Sequence, residues 1–191
     1  IYIYIYIYIY MDIYRYRDRD RDTDIYICIF IMLKNFESHI LGIKHMAFAV
    51  ENIEKTLTSY KKFLGVSNSV EIMDMPKSRT RVALFEIGGI EYQLCQSQEP
   101  EGRFSKWINK RGGGGLHHIC YIVKNLDAAL DIQKKNGAKL RECQACKVIG
   151  NHPHPEGFIA FLDNEVEGVE IELMQIYTTE ELEKYSAYKG I

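Results

Sequence analysis

The chain has 191 residues, and its 24 basic and 26 acidic side chains leave a net charge of −2. A charge so near zero gives no electrostatic reason to bind nucleic acid or an anionic membrane, and the sequence lacks a run of the ~20 apolar residues that span a bilayer. Five cysteines are too few for a secreted disulfide scaffold and fit a reducing compartment. We therefore expect a cytoplasmic protein without a nucleic-acid or membrane partner.

The first part of the sequence, residues 1–31, is a low-complexity extension. Ile alternates with Tyr at its start, and Arg alternates with Asp further on. Both alternations can be translated from simple DNA repeats, so we interpret the extension as a translated microsatellite upstream of Met32 and expect it to be disordered. It has neither the apolar core of a secretory signal nor the acid-poor composition of a mitochondrial presequence. We expect its removal to leave the function of the remaining chain unchanged.

The rest of the chain contains an internal repeat. The segment from residue 42 to 57 aligns without gaps with the segment from 115 to 130. The identical pairs include Gly42/Gly115, His45/His118 and Asn52/Asn125. The last strand of each copy also matches, with Glu-Tyr-Gln-Leu-Cys-Gln at 91–96 aligned to Glu-Ile-Glu-Leu-Met-Gln at 170–175. We therefore predict two copies of one structural unit.

The sequence pattern of each copy predicts a strand, a helix and three further strands. Asn52 or Asn125 is the expected helix N-cap, and Gly65 or Gly137 the expected C-terminal cap. The modules are 41–96 and 115–175, the linker between them is 97–114, and 176–191 is a C-terminal tail in which a capping box at Thr178 opens a short helix. The predicted fold is α+β, with two tandem βαβββ modules that form an open, cup-shaped mixed sheet with helices on its outer face.

Four polar residues occupy equivalent positions in the two copies. His45 corresponds to His118, and Gln93 corresponds to Glu172. Their neighbours in the strands are apolar, so these side chains are expected to point together into the concave face of the sheet. Two imidazoles, a carboxylate and an amide oxygen suit a divalent Zn, Co, Mn or Ni ion with one or two positions left for water or substrate.

Other polar motifs give weaker evidence for a functional site. Cys143 and Cys146 form a lone CxxC, which we interpret as two ordinary thiols because a zinc site needs two more ligands nearby. His117 is adjacent to His118, but strand alternation directs it to the other face. His152 and His154 are expected in a loop at the rim of the cup.

These motifs resemble the vicinal oxygen chelate (glyoxalase-like) superfamily, and within it the methylmalonyl-CoA epimerase family, over residues 41–175. The resemblance is carried by Ile-Lys-His-Met-Ala-Phe-Ala-Val from residue 43, Gly-Leu-His-His-Ile-Cys from 115, Val-Ile-Gly-Asn-His-Pro from 148 and Val-Glu-Ile-Glu-Leu-Met-Gln from 169. It implies metal ligation by His45, Gln93, His118 and Glu172, an acyl-CoA thioester substrate and a homodimer.

The resemblance also implies two acid-base glutamates, which exchange the proton next to the thioester on opposite faces. Glu172 corresponds to one of them. At the position of the other, in the loop Met-Pro-Lys-Ser-Arg-Thr from residue 75, this sequence has Lys77. Lys77 can act as the second acid-base group only if its pKa is strongly depressed. If the loop is shifted by a few residues, Asp74 or Glu71 takes this role. Otherwise Lys77 is a solvated loop residue without a catalytic role.

The leading hypothesis is therefore a metal-dependent isomerase that removes a proton next to a metal-chelated thioester. A glyoxalase-I-like lyase acting on a glutathione hemithioacetal uses related chemistry. A non-catalytic metal-binding or small-molecule-binding module is the third alternative, because the second glutamate is replaced by Lys77. An extradiol dioxygenase is disfavoured, since Gln93 offers a fourth ligand where that chemistry uses three. Arg79, Arg81 and Lys106 are candidates for contacting phosphates.

Overall fold

The computed structural model describes residues 39–185, so the extension at 1–31 and the end of the C-terminal tail lie outside the described residues. Within the described part, no helix is long and apolar enough to cross a membrane. The strands are β1 Ile40–Ala49, β2 Ile72–Met75, β3 Thr80–Ile87, β4 Ile90–Ser97, β5 Gly115–Val123, β6 Leu140–Arg141, β7 His152–His154, β8 Gly157–Val166 and β9 Val169–Ile176. The helices are α1 Ile53–Leu64, α2 Arg103–Arg111, α3 Leu126–Lys135 and α4 Thr179–Tyr185.

All of these strands belong to one open, mixed sheet, which confirms the predicted α+β class. The strand order is β2-β3-β4-β1-β5-β9-β8-β6, and β7 pairs with β8. β1 and β5 are antiparallel neighbours at the centre, and each has a parallel partner, β4 and β9 respectively. The register of the two parallel pairs is the same: His45 lies opposite Glu91, and His118 lies opposite Glu170.

Helices α1 and α3 cover the outer face of the sheet. The side chain of Asn52 caps α1 by accepting from Lys55 N, and Asn125 caps α3 by accepting from Ala128 N. Buried apolar residues on each helix then pack on the strands of their own half of the sheet. These contacts join Ile53 and Leu57 to Ala83 and Leu94, and Leu126 and Leu130 to Leu162 and Leu173.

Helix α2, which lies within the linker, packs on the opposite, concave face. Its buried Phe104 and Trp107 contact Ala47 and Cys95. The helix has no side-chain cap of its own, because its N-cap residue is a glycine. Instead the Ser97 hydroxyl at the end of β4 accepts hydrogen bonds from the backbone N–H groups of Phe104 and Ser105. Two helices thus lie on the outer face as expected, and α2 forms one wall of the concave side.

A short helix, α4, follows the last strand. The Thr178 hydroxyl accepts from Glu181 N at 3.3 Å, and the Glu181 carboxylate accepts from Thr178 N at 2.8 Å. This reciprocal pair is a capping box, which satisfies two backbone donors that the first turn of a helix leaves free.

Candidate metal centre

Three of the four predicted ligands meet at the centre of the concave face. The Nε2 atoms of His45 and His118 lie 3.3 Å apart, and one oxygen of Glu172 lies 3.2 Å from the first and 3.3 Å from the second. All three side chains are buried. The three donor atoms therefore form a nearly equilateral triangle inside the protein.

The sheet register explains why these side chains converge. Two rows of residues cross the four central strands and project into the concave face. The rows are Glu91, His45, Cys120, Glu172 and Gln93, Ala47, His118, Glu170. Because the middle strands are antiparallel, the two histidines lie on neighbouring strands in adjacent rows, and the small side chains of Ala47 and Cys120 leave room between them.

The triangle has the dimensions that a divalent ion requires. Ligand atoms held about 2.1 Å from an ion are separated by about 3.0 Å in octahedral and about 3.4 Å in tetrahedral geometry. The observed separations of 3.2–3.3 Å fall in that interval. Two imidazole nitrogens and a carboxylate oxygen are also the donor set that zinc-like ions prefer. The residues present thus fit the ion that the sequence predicts.

Gln93 lies in the wall of the same cavity but outside the triangle. Its Nε2 atom donates to the Glu91 carboxylate at 2.7 Å. Glu91 in turn accepts from Lys44 at 3.0 Å, and Lys44 also pairs with Glu156 at 3.1 Å. This chain of contacts holds the Gln93 side chain beside the triangle, with its amide nitrogen bonded to Glu91.

The electrostatics of the triangle favour an ionised Glu172 beside a neutral His118. Burial alone would raise the pKa of Glu172, but the hydrogen bonds and charges of His118 and His45 outweigh it and hold that pKa well below its usual range. Burial lowers the pKa of His118, and Glu172 only partly offsets this effect. A neutral imidazole and an ionised carboxylate are the protonation states that bind metal ions.

His117, which strand alternation directs away from the site, contacts it instead. Between β1 and β5 the register shifts so that Ala47 faces His118 while Phe48 faces Leu116, and His117 is the extra residue of a β-bulge. Its Nδ1 atom lies 2.9 Å from Nδ1 of His118. Burial, and then the charge of Arg103, lower the pKa of His117, so this fully buried ring is neutral and can accept from His118.

A cluster of charged side chains lies beside His117. Arg103 and Arg141 both pair with the carboxylate of Glu170, Arg141 at 2.6 Å. Both guanidinium groups also stack over the ring of Phe161, at 5.5 and 5.2 Å from its centroid. The two guanidiniums therefore share one carboxylate, and Asp163 also acts electrostatically on Arg141. Glu91 and Glu170 are functional-site residues that the sequence patterns did not single out, although they are an identical pair two residues before Gln93 and Glu172.

The triangle opens into a cavity of about 290 Å³. Its polar lining includes Thr80, Glu91, Gln93, Arg103, Gln144, His154 and Glu156 beside the triangle itself. His154 therefore lies in the cavity wall rather than on an outer rim. Lys77 and Asp74 are exposed on the β2–β3 hairpin and are not among the residues that line this cavity. The Asp74 carboxylate accepts from Gln98 at 3.0 Å.

Comparison with known proteins identifies the family. Residues 44–158 match the Glyoxalase/Bleomycin resistance protein/Dioxygenase superfamily. The chain is 31% identical to the mitochondrial methylmalonyl-CoA epimerase of Homo sapiens, over 70% of this chain and 73% of that protein. It is 28% identical to the ethylmalonyl-CoA/methylmalonyl-CoA epimerase of Cereibacter sphaeroides, over 70% of this chain and 97% of that one.

The fold agrees with these relatives. The crystal structure of methylmalonyl-CoA epimerase from Mycobacterium tuberculosis superposes with a TM-score of 0.61 at 21% identity, covering 76% of this chain and 94% of that chain. Together with the sequence matches, this confirms the resemblance that the repeat motifs predict. The chain belongs to the glyoxalase/bleomycin resistance/dioxygenase superfamily and, within it, to the methylmalonyl-CoA epimerase family of isomerases.

Proposed function

We propose that the protein is a metal-dependent epimerase of an α-alkylmalonyl-CoA thioester, with methylmalonyl-CoA as the first candidate substrate. The observation that carries this proposal is the triangle of His45, His118 and Glu172 at the base of a cavity. The names of its relatives, which state methylmalonyl-CoA and in one case ethylmalonyl-CoA, supply the substrate class.

In the proposed site, His45, His118 and Glu172 would hold a divalent Co, Mn, Ni or Zn ion, with Gln93 as the fourth residue of the set. The ion would supply a Lewis acid for the negative charge that develops on the thioester oxygen when the α-proton leaves. Glu172 is the proposed base that accepts this proton on a carboxylate oxygen. The buried walls exclude water and so strengthen these electrostatic interactions.

Arg103 is the proposed contact for the free carboxylate of the substrate. It lines the cavity, and its Nε atom is buried without a hydrogen-bond partner among the described residues. Arg103 shares the Glu170 carboxylate with Arg141, and a guanidinium binds a carboxylate with two parallel hydrogen bonds. We expect R103M to raise KM at least about tenfold, a loss of about 1.4 kcal/mol. The exposed Lys110 on the same helix provides the control K110M, which should leave KM unchanged.

Epimerisation also requires a group that returns a proton to the opposite face of the substrate. We propose His154 for this role. It lines the cavity, and its Nδ1 atom is buried without a hydrogen-bond partner within the described chain. The Tyr177 hydroxyl fixes its backbone, accepting from the N–H at 3.2 Å and donating to the C=O at 2.8 Å. Lys77 and Asp74 stay the alternative predictions and require the hairpin to move toward the cavity.

Isotope exchange distinguishes these groups. With H154Q, we expect deuterium exchange from one epimer only, and net epimerisation reduced by about 10²–10⁴-fold, the usual contribution of general acid-base catalysis. If instead K77M or D74N shows that pattern and H154Q does not, the second proton belongs to the hairpin and the assignment to His154 is wrong.

The central experiment follows the α-proton. The purified chain loaded with Co²⁺ should exchange the α-proton of (2R)- and (2S)-methylmalonyl-CoA in deuterated water and interconvert the two epimers, as read by NMR. H45Q should reduce exchange by at least ~100-fold, because Lewis-acid stabilisation contributes several kcal/mol. Folded, metal-loaded protein that binds the thioester without exchange would be a non-catalytic binding module. Turnover of the methylglyoxal-glutathione hemithioacetal alone would indicate the lyase.

The homodimer that the family resemblance implies and the cytoplasmic location that the sequence predicts remain predictions. The molar mass of the purified protein from light scattering tests the first, and microscopy of a fluorescent fusion in the source cells tests the second.

A further inference from the structure

A second group of metal-binding side chains lies outside the triangle, in the loop between β6 and β7. The loop is closed like a hairpin: Glu142 bridges Ile149, and Cys143 N donates to Val148 O at 2.9 Å. It carries the two thiols of the CxxC motif. With His152, they place two sulfur atoms and one imidazole nitrogen within 4.8 Å of one another.

The turn that holds the two thiols is already shaped around a sulfur ligand. Cys146 N donates to the sulfur of Cys143 at 3.5 Å, and Lys147 N donates to the carbonyl of Cys143 at 2.8 Å. Lys147 has a φ of 59°, in the left-handed region that non-glycine residues seldom adopt. Backbone N–H groups that point at a cysteine sulfur stabilise its thiolate form, which is the form that binds metals.

His152 presents the correct nitrogen to the thiols. Its Nδ1 atom lies 2.8 Å from the carbonyl oxygen of Gly150, and since a carbonyl can only accept, Nδ1 carries the proton. Nε2 is therefore the atom with the free lone pair. It is buried, since the whole side chain is 4% exposed. Burial alone would raise the pKa of the Cys143 thiol, but the His152 side chain lies close enough to lower that pKa by hydrogen bonding. A histidine fixed in this way through Nδ1 is typical of metal ligands.

The spacing is close to that of a tetrahedral zinc site. Zinc bonds of about 2.3 Å to sulfur and about 2.1 Å to nitrogen place the ligand atoms about 3.5–3.8 Å apart. The upper limit of 4.8 Å between these ligand atoms requires a contraction of at most about 1.3 Å. A side-chain rotation of the partly exposed Cys146 can supply it.

We propose that Cys143, Cys146 and His152 form a second metal site, specific for a thiophilic divalent ion such as Zn²⁺. Three protein ligands leave the fourth tetrahedral position to a water molecule. The donor chemistry separates the two centres: thiolates select zinc-like ions, whereas the imidazole and carboxylate groups of the triangle also accept manganese.

The second site would stabilise one wall of the cavity. Cys143, Gln144 and Ala145 line the cavity, and Cys143 packs with Phe161 and Met174 below it. An ion joining Cys143 and Cys146 to His152 crosslinks the loop to β7, so the wall is fixed by a coordination bond as well as by packing.

Cobalt spectroscopy tests the proposal independently of epimerase activity. The full chain, stripped of metal and kept reduced with a phosphine, is titrated with Co²⁺. We expect two equivalents to bind and a thiolate-to-cobalt charge-transfer band to appear in the near ultraviolet. The ligands proposed for the triangle include no sulfur, so H118A should lose one equivalent and retain the band. Because the buried Cys120 sulfur lies within 4.8 Å of ligand atoms of His45 and Glu172, C120S is a second control and should also retain the band. C146S should lose the band and the other equivalent.

Two further variants keep the test sound. C95S removes a buried cysteine of β4 and serves as the matched control, which should retain the band. H152Q removes the imidazole ligand and should shift or abolish the band. It replaces C146S in the test if C146S fails to fold. A folded wild-type chain without the band overturns the proposal, as does an unchanged band in C146S. A chain that forms a Cys143–Cys146 disulfide on mild oxidation but shows no band when reduced is a redox pair and not a metal site.

Discussion

At the scale of single residues, His117 determines how His118 is presented. The bulge in β5 places both imidazoles on the concave side, and Phe104 and Trp107 hold the His117 ring at centroid distances of 4.8 and 5.3 Å. A neutral His117 that accepts from Nδ1 of His118 leaves the lone pair of His118 on Nε2, inside the triangle. His117 is thus a positioning residue that acts through its neighbour.

We expect H117F to preserve most of the packing and to weaken Mn²⁺ binding at the triangle by about 10–100-fold, as loss of such partners usually does. Isothermal titration calorimetry of the apoprotein measures the affinity. W107F, which keeps an aromatic ring against His117, is the control and should bind nearly as tightly as the wild type. Equal affinity in H117F and the wild type would show that the bulged histidine has no part in ion binding.

The cysteines should differ in reactivity. Burial raises the pKa of Cys95 to about 12, so its sulfur stays a protonated thiol at pH 8, and burial raises the pKa of Cys120 as well. Burial and the neighbouring Cys143 raise the pKa of Cys146 only to about 11, and its side chain is partly exposed. In the metal-free native protein, iodoacetamide should therefore label Cys146 before Cys95 and Cys120, which react only after unfolding. Peptide mass spectrometry reads the order, and early labelling of Cys95 would contradict it.

At the scale of elements, α2 links the stability of the fold to the structure of the cavity wall. It carries Arg103 and Phe104 into the cavity wall, and its first turn depends on the Ser97 hydroxyl of β4. Gly102 is needed at the N-cap because a Cβ atom there would lie 2.6 Å from the Ser97 side chain. β4, which also contains Gln93, thus sets the position of the helix that faces it through its last residue, Ser97.

We expect S97A to lower the free energy of unfolding by about 1 kcal/mol, the usual cost of removing a helix cap, and to raise KM for the acyl-CoA substrate. N52A removes the cap of α1 on the outer face and should cost a similar stability without changing KM. Urea denaturation and steady-state kinetics on both variants make the comparison. Equal KM values in S97A and N52A would show that the position of α2 does not affect substrate binding.

At the scale of the whole molecule, the seam between β1 and β5 holds the site together. Each half of the sheet supplies one histidine to the triangle, and Glu172 completes it from β9, next to β5. An ion bound there would contact both central strands and β9. Because only folding brings these three side chains together, the ion would stabilise the native state by mass action.

Loading the triangle should therefore raise the melting temperature of the whole domain. Mn²⁺ at about 100 times its Kd should add about 2.7 kcal/mol to the free energy of unfolding, and chelation should remove this gain. Mn²⁺ is the suitable probe because it favours oxygen and imidazole over thiolate ligands. Differential scanning calorimetry on the wild type and on H45Q measures the effect, and a Mn²⁺-dependent shift of equal size in H45Q would place the ion elsewhere.

The sequence predicts this fold and family well because both follow from repeated local patterns. Asn52 and Asn125 mark two helix starts, and the duplicated register alone selects His45 and His118, which lie together in the structure. The parts that the sequence did not predict depend on interruptions of regular structure. A one-residue bulge redirects His117, and the helix in the linker packs on the concave face because Ser97 fixes its start.

Contacts made by irregular loops were also not predicted by the sequence patterns. The spacing of Cys143 and Cys146 does not indicate that His152, a few residues further on, lies beside them, because the contact depends on how the loop between β6 and β7 folds. The proposed acid-base group shows the same limit. Counting along the chain selects Lys77, whereas His154 lies in the cavity wall, on the strand that pairs with β8.

The seam also has a consequence for the order in which the molecule is made. His45 and His118 are 73 residues apart in the chain, and contacts between such distant residues form only after the entropy cost of closing a long loop is met. A nascent chain that has emerged only through β4 carries one histidine of the triangle and no complete donor set. The complete set of three donor atoms therefore forms late, when the second half of the sheet pairs with the first through β1 and β5. An ion that needs all three residues would not take part in the earlier steps of folding.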